Sequence, residues 1–398
     1  MSRRSVYINW QVSTFTGWGV YGLNLALNWS ADPDLAPITA QSLLPENLAV
    51  DPLRLRLLEP FVRSSLTFQK ELAQFTGGHA TVSAPVIGQF DERFEPRKSA
   101  HSVRLQGKPS IAATFFETTQ VPPDAIARAA SYPLVVTGST WNAEVLRAHG
   151  LTNVRTVIQG IDPTLFHPAP AQKLMGDRFL VFSGGKLERR KGQDIAVAAF
   201  RRFAERHADA ILAVAWHNFW PQYARTINDA AIAEPAPLDD AGGVDVAGWI
   251  AANGIAPTAF LDLGVIPNAQ LPPVLREMDV AIFPNRAEGG TNLVAMECMA
   301  CGVPTILSRN TGHIDLIEDD NCFPLVQQGA LEGREGRSEG VEGWGESDVD
   351  ELVETLERVY AHRQEARERG LRGAAMLSRF TWARTAAEMK ALVLEVAG

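Results

Sequence analysis

The stretch from Asp279 to Ser308 constrains the fold more than any other part of the chain. Val280–Phe283 is a short apolar run closed by Pro284, the pattern of a strand buried in a parallel sheet. Residues 293–301 read as a helix that stops at Gly302, with Pro304 just beyond and a second buried strand at 305–308. Between strand and helix lies Glu288-Gly289-Gly290-Thr291-Asn292. Glycines let backbone approach a ligand closely, and a helix start presents free N–H groups to an anion. Glu288 precedes the loop and Glu297 sits on the helix. Carboxylates accept from hydroxyls, whereas a helix start suits phosphate. A ligand carrying both groups, as a nucleotide sugar does, matches this pair of features. An ordinary strand–loop–helix with two solvated glutamates has the same pattern.

The alternation continues on both sides, as in a doubly wound α/β chain. In the first half, strands are expected at 5–10, 38–42, 134–137 and 154–159, and helices at 20–29, 51–75 (broken near Pro60) and 141–149. Residues 162–177 hold three prolines and little periodicity, and read as a linker. A clearer series follows, with strands at 179–183, 211–215, 259–263, 280–283, 305–308 and 323–326 and a helix at 193–205. Residues 329–346 are rich in Gly, Glu and Arg and read as a mobile surface loop. Helices are expected at 348–379 and 381–396.

Composition sets limits. The 398 residues are 46% hydrophobic and 21% charged, enough for two or three globular domains. A net charge of −9 argues against a broad nucleic-acid-binding surface. Three cysteines build no disulfide framework and fit a reducing compartment. Cys298 and Cys301 form a CxxC on the helix behind Glu297, where core packing explains them better than metal or redox chemistry. The chain start has no apolar signal core, and no run of about 18 or more apolar residues stands out, so a cytoplasmic protein is expected.

The 279–306 stretch resembles the paired-glutamate signature of retaining GT-B glycosyltransferases, family 4 type. Here eight residues separate Glu288 from Glu297, where the family has seven; the extra one falls in 289–292. Nine helical steps would put the two carboxylates on opposite faces of one helix, which leaves Glu288 in the loop. Ser183-Gly-Gly185-Lys186-Leu-Glu-Arg-Arg-Lys191-Gly192 is similar to the family's Gly-Arg…Lys-Gly segment, with Lys186 in the arginine's place. Gly185, Lys186 and Lys191 would then clasp a diphosphate, while Arg189 and Arg190 read as surface charge. A solvated basic turn is the alternative. Val265 and Ile266 resemble the family's border to the nucleobase, although a plain strand–turn–helix fits them equally well.

In the first half, Gly17-Trp-Gly19-Val-Tyr-Gly22 has the spacing G-x-G-x-x-G, but residues 11–16 separate it from its strand, so a dinucleotide fingerprint is a poor fit. The resemblance makes Gly17 and Gly19 a loop near donor phosphates or acceptor; a tight turn is the other reading. Where many family members carry a histidine, this chain has Glu117, either an acceptor-hydroxyl partner or a structural residue. Ser139 or Thr140 reads as a helix cap, and so does Asp348-Val-Asp350 in place of a metal-binding DxD. His313 reads as a surface or hydrogen-bonding residue, beside a Gly312 that the resemblance puts near sugar or diphosphate.

The resemblance implies a GT-B fold of two Rossmann-like domains with an interdomain cleft. Residues 1–170 would form the acceptor side, 171–379 would bind the nucleotide sugar, and 380–398 would cross back as a last helix. It implies transfer of a sugar from a UDP- or GDP-sugar to an acceptor hydroxyl with retention, without metal or cofactor. Lys186, Lys191 and the N–H groups of Gly290, Thr291 and Asn292 would stabilise the leaving diphosphate, with Gly289 and Leu293 beside them. Glu288 would hold sugar hydroxyls and Glu297 the ribose. The acceptor would be a carbohydrate, a lipid-linked group or a protein, with peripheral membrane contact allowed. A nucleotide-sugar epimerase or hydrolase, and a non-catalytic nucleotide-sugar-binding module, are the alternative readings.

Overall fold

The computed structural model describes residues 3–331 and 340–398. The chain divides into two compact units, Met1–Gly160 with Pro267–Ala269 and Phe380–Gly398, and Ile161–Ile266 with Gln270–Arg379. Each unit is built on a six-stranded parallel sheet.

The first sheet uses Arg4–Asn9, Leu35–Ile38, Val86–Phe90, Ser110–Thr114, Val135–Thr137 and Val154–Thr156. In chain order these run second-first-third-fourth-fifth-sixth across the sheet. The strand expected at 38–42 lies earlier, at Leu35–Ile38, and contains Pro37. It is the edge strand, where a missing N–H costs no ladder bond. The helix Pro52–Ala73 runs through Pro60 without the expected break. Asp51 caps it, accepting from Leu53 and Arg54 N–H, and Leu58, Phe61, Ser65 and Leu72 bury its inner face. Pro60 lies on the exposed side, as does Arg56, whose carbonyl loses its helical partner and can turn to water. The last helix, Trp382–Ala397, belongs to this unit: Lys390 Nζ binds Asp32 at 2.7 Å and Asp34 at 2.6 Å, and Trp29 Nε1 donates to Ala386 O at 3.1 Å.

The second sheet uses Phe179–Gly184, Ala210–Ala215, Phe260–Asp262, Val280–Phe283, Thr305–Ser308 and Phe323–Leu325. Their order is third-second-first-fourth-fifth-sixth. The helices Gln193–Ala204 and Val349–Ala361 cover a core that includes Phe179, Phe200, Phe203, Trp249 and Leu356. Each such fully buried side chain stabilises the fold by roughly 1.5–3 kcal/mol. The helix expected over 348–379 is two, Val349–Ala361 and Arg363–Leu377, parted where His362 leaves helical geometry at φ −120° and ψ 52°. Arg363–Leu377 backs the helix Leu293–Ala300 so closely that a Cβ on Gly370 would stand 2.3 Å from Gly302 O.

The unit boundary falls at Gly160 rather than at 170 because the following segment is pinned to the second unit. Glu277 accepts from the Gln172 and Leu174 N–H groups, and Arg276 donates to Leu165 and His167 carbonyls. Of the surface loop expected at 329–346, residues 332–339 lie outside the described residues; the flanks pair as antiparallel strands Gln328–Gly329 and Glu346–Ser347. Among the described residues, no helix is long and apolar enough to cross a membrane.

Candidate functional site

In an open parallel sheet, ligands bind beyond the carboxyl ends of the strands where the winding reverses. In the second sheet that point lies between the first strand, Phe179–Gly184, and the fourth, Val280–Phe283. The loops that leave those two strands carry Lys191 and Glu288. Gly192 lets them meet: it has φ +68°, and a Cβ there would stand 2.1 Å from Pro284 O.

Glu288 is buried, at 4% exposure, and its carboxylate is almost fully engaged. Oε1 accepts from Lys191 Nζ at 2.5 Å and from Asn285 Nδ2, and Oε2 accepts from Arg190 Nη1 at 3.0 Å. Arg190 is therefore no surface charge. Its guanidinium also binds Glu188 at 2.5 Å and the Ala287 carbonyl at 2.8 Å, with its side chain only 12% exposed. Burial works against the Glu288 charge, but Lys191, Arg190 and His313 outweigh it and hold the carboxyl down at about 2. Burial lowers Lys191, partly offset by Glu288.

Behind Glu288, Thr311 and Gly312 fix the loop. Glu288 N–H donates to Thr311 Oγ1 at 2.8 Å, and Gly312 N–H donates to Glu288 O at 3.0 Å. A Cβ on Gly312 would stand 1.7 Å from Gly290 O, so only glycine fits. Asn292 caps the helix Leu293–Ala300 from a left-handed conformation, φ +65°, accepting from Ala295 N–H. Its amide Nδ2 lies 3.1 Å from His313 Nε2, and His313 Nδ1 lies 2.9 Å from Ser308 Oγ. With Asn292 donating, Nε2 must accept and the ring proton belongs on Nδ1, an assignment from the hydrogen-bond network. His313 is fully buried, not at the surface, and burial takes its pKa down to about 4. Thr291 spends its hydroxyl on Met296 Sδ at 3.0 Å. Gly289 is buried, while Gly290 and Leu293 are half-buried at the helix start.

The other expected residues fall into separate settings. Glu297 is buried on the site helix, next to Cys298 and Cys301, whose thiols burial pushes up, Cys301 to about 12. Gly185 takes φ +117° beside the Lys191 stem. Lys186 does not join Lys191; it is exposed, with Nζ 5.6 Å from the centre of the Trp220 ring. Val265 is exposed and Ile266 half-buried, in the loop that follows Phe260–Asp262. An open cavity of about 500 Å³ lies at that end of the sheet, lined by Leu187, Trp216, Asn218, Asp262 and Gly264 among others.

In the first unit, Gly17 and Gly19 are not a loop but the first turn of the helix Gly17–Ser30, because Thr16 caps it, accepting from Gly19 N–H at 3.1 Å. A Cβ on Gly19 would stand 2.1 Å from Ser13 Oγ, whereas Gly17 has open space. Glu117 is half-buried just beyond the strand Ser110–Thr114, and the neighbouring Phe115 ring lies 4.5 Å from that of Trp18. Ser139 and Asp348 cap their helices as expected. Among the described residues, no group of three or more His, Cys, Asp or Glu is placed to hold a metal ion.

Sequence reasoning misread Arg190 as surface charge and passed over Asn285, Asp194 and Arg286. A signal for the last was there: an arginine in the turn just after a fully apolar strand has to find partners or stay out of the core. Arg286 is fully buried and pairs with Asp194 through both terminal nitrogens, at 2.8 and 2.6 Å.

Residues 268–389 match the model of a family described as "Family 4 Glycosyltransferase in conflict systems". A D-inositol 3-phosphate glycosyltransferase of Acidothermus cellulolyticus is 27% identical over 179 residues; the match spans 44% of this chain and 37% of that protein. Whole-chain structural likeness is broader. Sucrose-phosphate synthase from Thermosynechococcus elongatus superposes with a TM-score of 0.66 at 16% identity, over 99% of each chain. Anabaena HepE, solved in complex with UDP, gives 0.60 at 12% identity over 98% of this chain and 100% of its own. The α,α-trehalose 6-phosphate synthase of Burkholderia multivorans gives 0.62 at 12% identity, over 100% of this chain and 99% of its own. At such identities the likeness shows the fold, and the fold is GT-B.

Proposed function

From the premise that this is a GT-B chain of the family 4 glycosyltransferase type, we propose that it moves a sugar from a nucleoside-diphosphate sugar to an acceptor hydroxyl, with retention of configuration. The observation that carries the proposal is the cluster of Lys191, Arg190 and Glu288 at the reversal point of the second sheet. Two cations and a helix start answer a diphosphate; a buried, ionised carboxylate answers sugar hydroxyls. UDP bound to HepE, a structural neighbour, supports a nucleotide-sugar donor.

A carboxylate offers about four acceptor sites. Lys191, Asn285 and Arg190 fill three on Glu288. The donor diphosphate competes for the same cations. As Lys191 and Arg190 turn toward phosphate oxygens, Glu288 gains free acceptor sites for the sugar. It then opposes the positive character that grows on the sugar as the bond to the diphosphate breaks. The cations stabilise the negative charge that grows on the leaving group, which is preorganised electrostatic catalysis. In a front-face path, the acceptor's proton passes to a departing diphosphate oxygen. Lys186 reaches the outer phosphate, Glu297 holds the ribose, Val265 and Ile266 border the base, and Glu117 accepts from the acceptor hydroxyl. UDP- or GDP-sugars are the donors of choice, and no metal is required.

Incubation with a panel of UDP- and GDP-sugars, with and without acceptor saccharides, tests this. The expected result is diphosphate release that depends on acceptor, with an α-linked product from an α-linked donor. Release without acceptor, or an epimerised donor, would replace transfer by hydrolysis or epimerisation. Binding without any turnover across the panel would leave only a binding module.

A further inference from the structure

The fork of Arg286 meets the partners for all its donors. Nε donates to Glu346 Oε2 at 2.8 Å, and Nη2 binds Glu346 at 2.7 Å and Asp194 Oδ2 at 2.6 Å. Nη1 donates to Asp194 Oδ1 at 2.8 Å and to the Arg189 carbonyl at 2.7 Å. An arginine has five N–H donors, so none is left over. Its backbone is used as well: Arg286 N–H donates to Arg190 O at 2.8 Å, and Arg286 O accepts from Gly345 N–H at 3.0 Å.

These bonds tie three stretches that are far apart in sequence. Arg189, Arg190 and Asp194 belong to the basic loop and the first turn of its helix; Arg286 stands two residues before Glu288; Gly345 and Glu346 come from the chain's later part. The two loops that Arg286 joins are the ones that hold Lys191 and Glu288. We propose that Arg286 is a positioning residue that sets the register of Lys191 against Glu288, with Asp194 and Glu346 as its anchors. It touches neither partner's side chain in the pair and acts through the backbone of both loops. This rests on the function proposed above only for its catalytic consequence; the register itself is a property of the protein.

Energetics favour a positioning role over a merely stabilising one. A buried ion pair adds little net stability, because desolvation consumes most of its attraction, yet it fixes geometry. Lysine in place of Arg286 keeps the charge and loses the fork, so it separates geometry from charge. Glu346 is the less buried anchor, 34% accessible at its side chain, and its removal spares the Asp194 pair.

The test reads the register directly, in protein with no ligand added. Side-chain carboxyl 13C shifts of glutamate-labelled protein are followed against pH, with the Glu288 signal assigned by its loss in Glu288→Gln. In the wild type, Glu288 is expected to stay ionised well below the ordinary carboxylate range. In Arg286→Lys its titration is expected to move upward, since Lys191 and Arg190 no longer stand in place to offset its burial. Glu346→Ala, measured alongside in case Arg286→Lys fails to fold, is expected to move the signal the same way. A Glu288 signal unmoved in the folded variants overturns the proposal. Nucleoside-diphosphate binding is measured on the same samples. Wild type that binds, with affinity in Arg286→Lys at least about tenfold weaker, agrees with both readings. A moved Glu288 signal in a protein that binds no diphosphate keeps the positioning role and rejects the donor site.

Discussion

Lys191 Nζ donates to Glu288 Oε1 at 2.5 Å although the two residues are 97 positions apart in the chain. The pair closes the reversal point of the second sheet from both sides, and it separates Lys191 from Lys186, which stands in solvent over Trp220. The two lysines therefore differ in what their loss does to the protein alone. Lys186→Ala is expected to leave the melting temperature where it is. Lys191→Ala leaves Glu288 buried with one cation fewer and should cost about 1–3 kcal/mol. Thermal melts of the two variants without ligand check this; equal melting temperatures would contradict the burial argument.

Two groups at the site titrate in different windows. Glu288 has its folded pKa depressed, to about 2 from 4.5. Its contribution is present above the unfolded value and is lost as pH falls from about 4.5 toward 2. The gap corresponds to about 3 kcal/mol, part of which is cancelled because burial also lowers Lys191. His313 is depressed to about 4 from 6.5. Between those values the unfolded chain binds its proton and the folded one does not, so this group makes stability rise with pH from about 4 to 6.5. Denaturant unfolding at a series of pH values should show Glu288→Gln flattening the lower window and His313→Gln the upper one. The same slopes in variant and wild type would count against both assignments.

Glu288→Gln and Glu297→Gln should fail in different kinetic parameters. Glu297 is assigned to the ribose, which changes little during reaction, so its loss should raise KM more than it lowers kcat. Glu288 is assigned to the sugar, where charge develops, so its loss should fall mainly on kcat. The loop between them is one residue longer than the family pattern. Asn292 and Glu288 both face His313, Asn292 through its amide and Glu288 through its charge. A wild-type kcat in Glu288→Gln beside a large loss in Asn292→Ala would hand the sugar role to Asn292.

Much of the second unit was legible because its strands are continuous apolar runs. Val280–Phe283 and Thr305–Ser308 lie where the pattern puts them. The first unit was harder. Val86–Phe90 is interrupted by Gly88, and Ser110–Thr114 is alanine and hydroxyl residues apart from Ile111, so neither shows a strand period. The helix Pro123–Ser131 starts on Pro123 behind Pro122, with no capping side chain to mark its start. At the site, the glycine-rich turns that follow two apolar strands mark Lys191 and Glu288. Arg190 reads as surface charge in the sequence because its partners Glu188 and Glu288 are set by the fold, and the position of Arg286 after an apolar strand signals a need for partners without naming Asp194 and Glu346.

The proposed clamp is made of protein cations, Lys191 and Arg190, so turnover should persist when divalent ions are chelated. Activity assayed before and after EDTA treatment and desalting checks this. Complete loss that returns with added magnesium or manganese, in a protein that stays folded, would mean that a metal shares the clamp.

The central claim is that a nucleoside diphosphate binds where Lys191 and Glu288 meet. Calorimetric titration of UDP and of GDP into wild type and into the Arg190→Ala/Lys191→Ala double variant tests it most directly. Each charge-assisted contact should be worth about 1.5–3 kcal/mol, so two together reduce affinity by at least about a hundredfold. The account predicts one saturable site in the wild type for at least one of the two nucleotides, and no measurable heat in the folded double variant. Wild type that binds neither, or a double variant that binds as tightly as wild type, would contradict it.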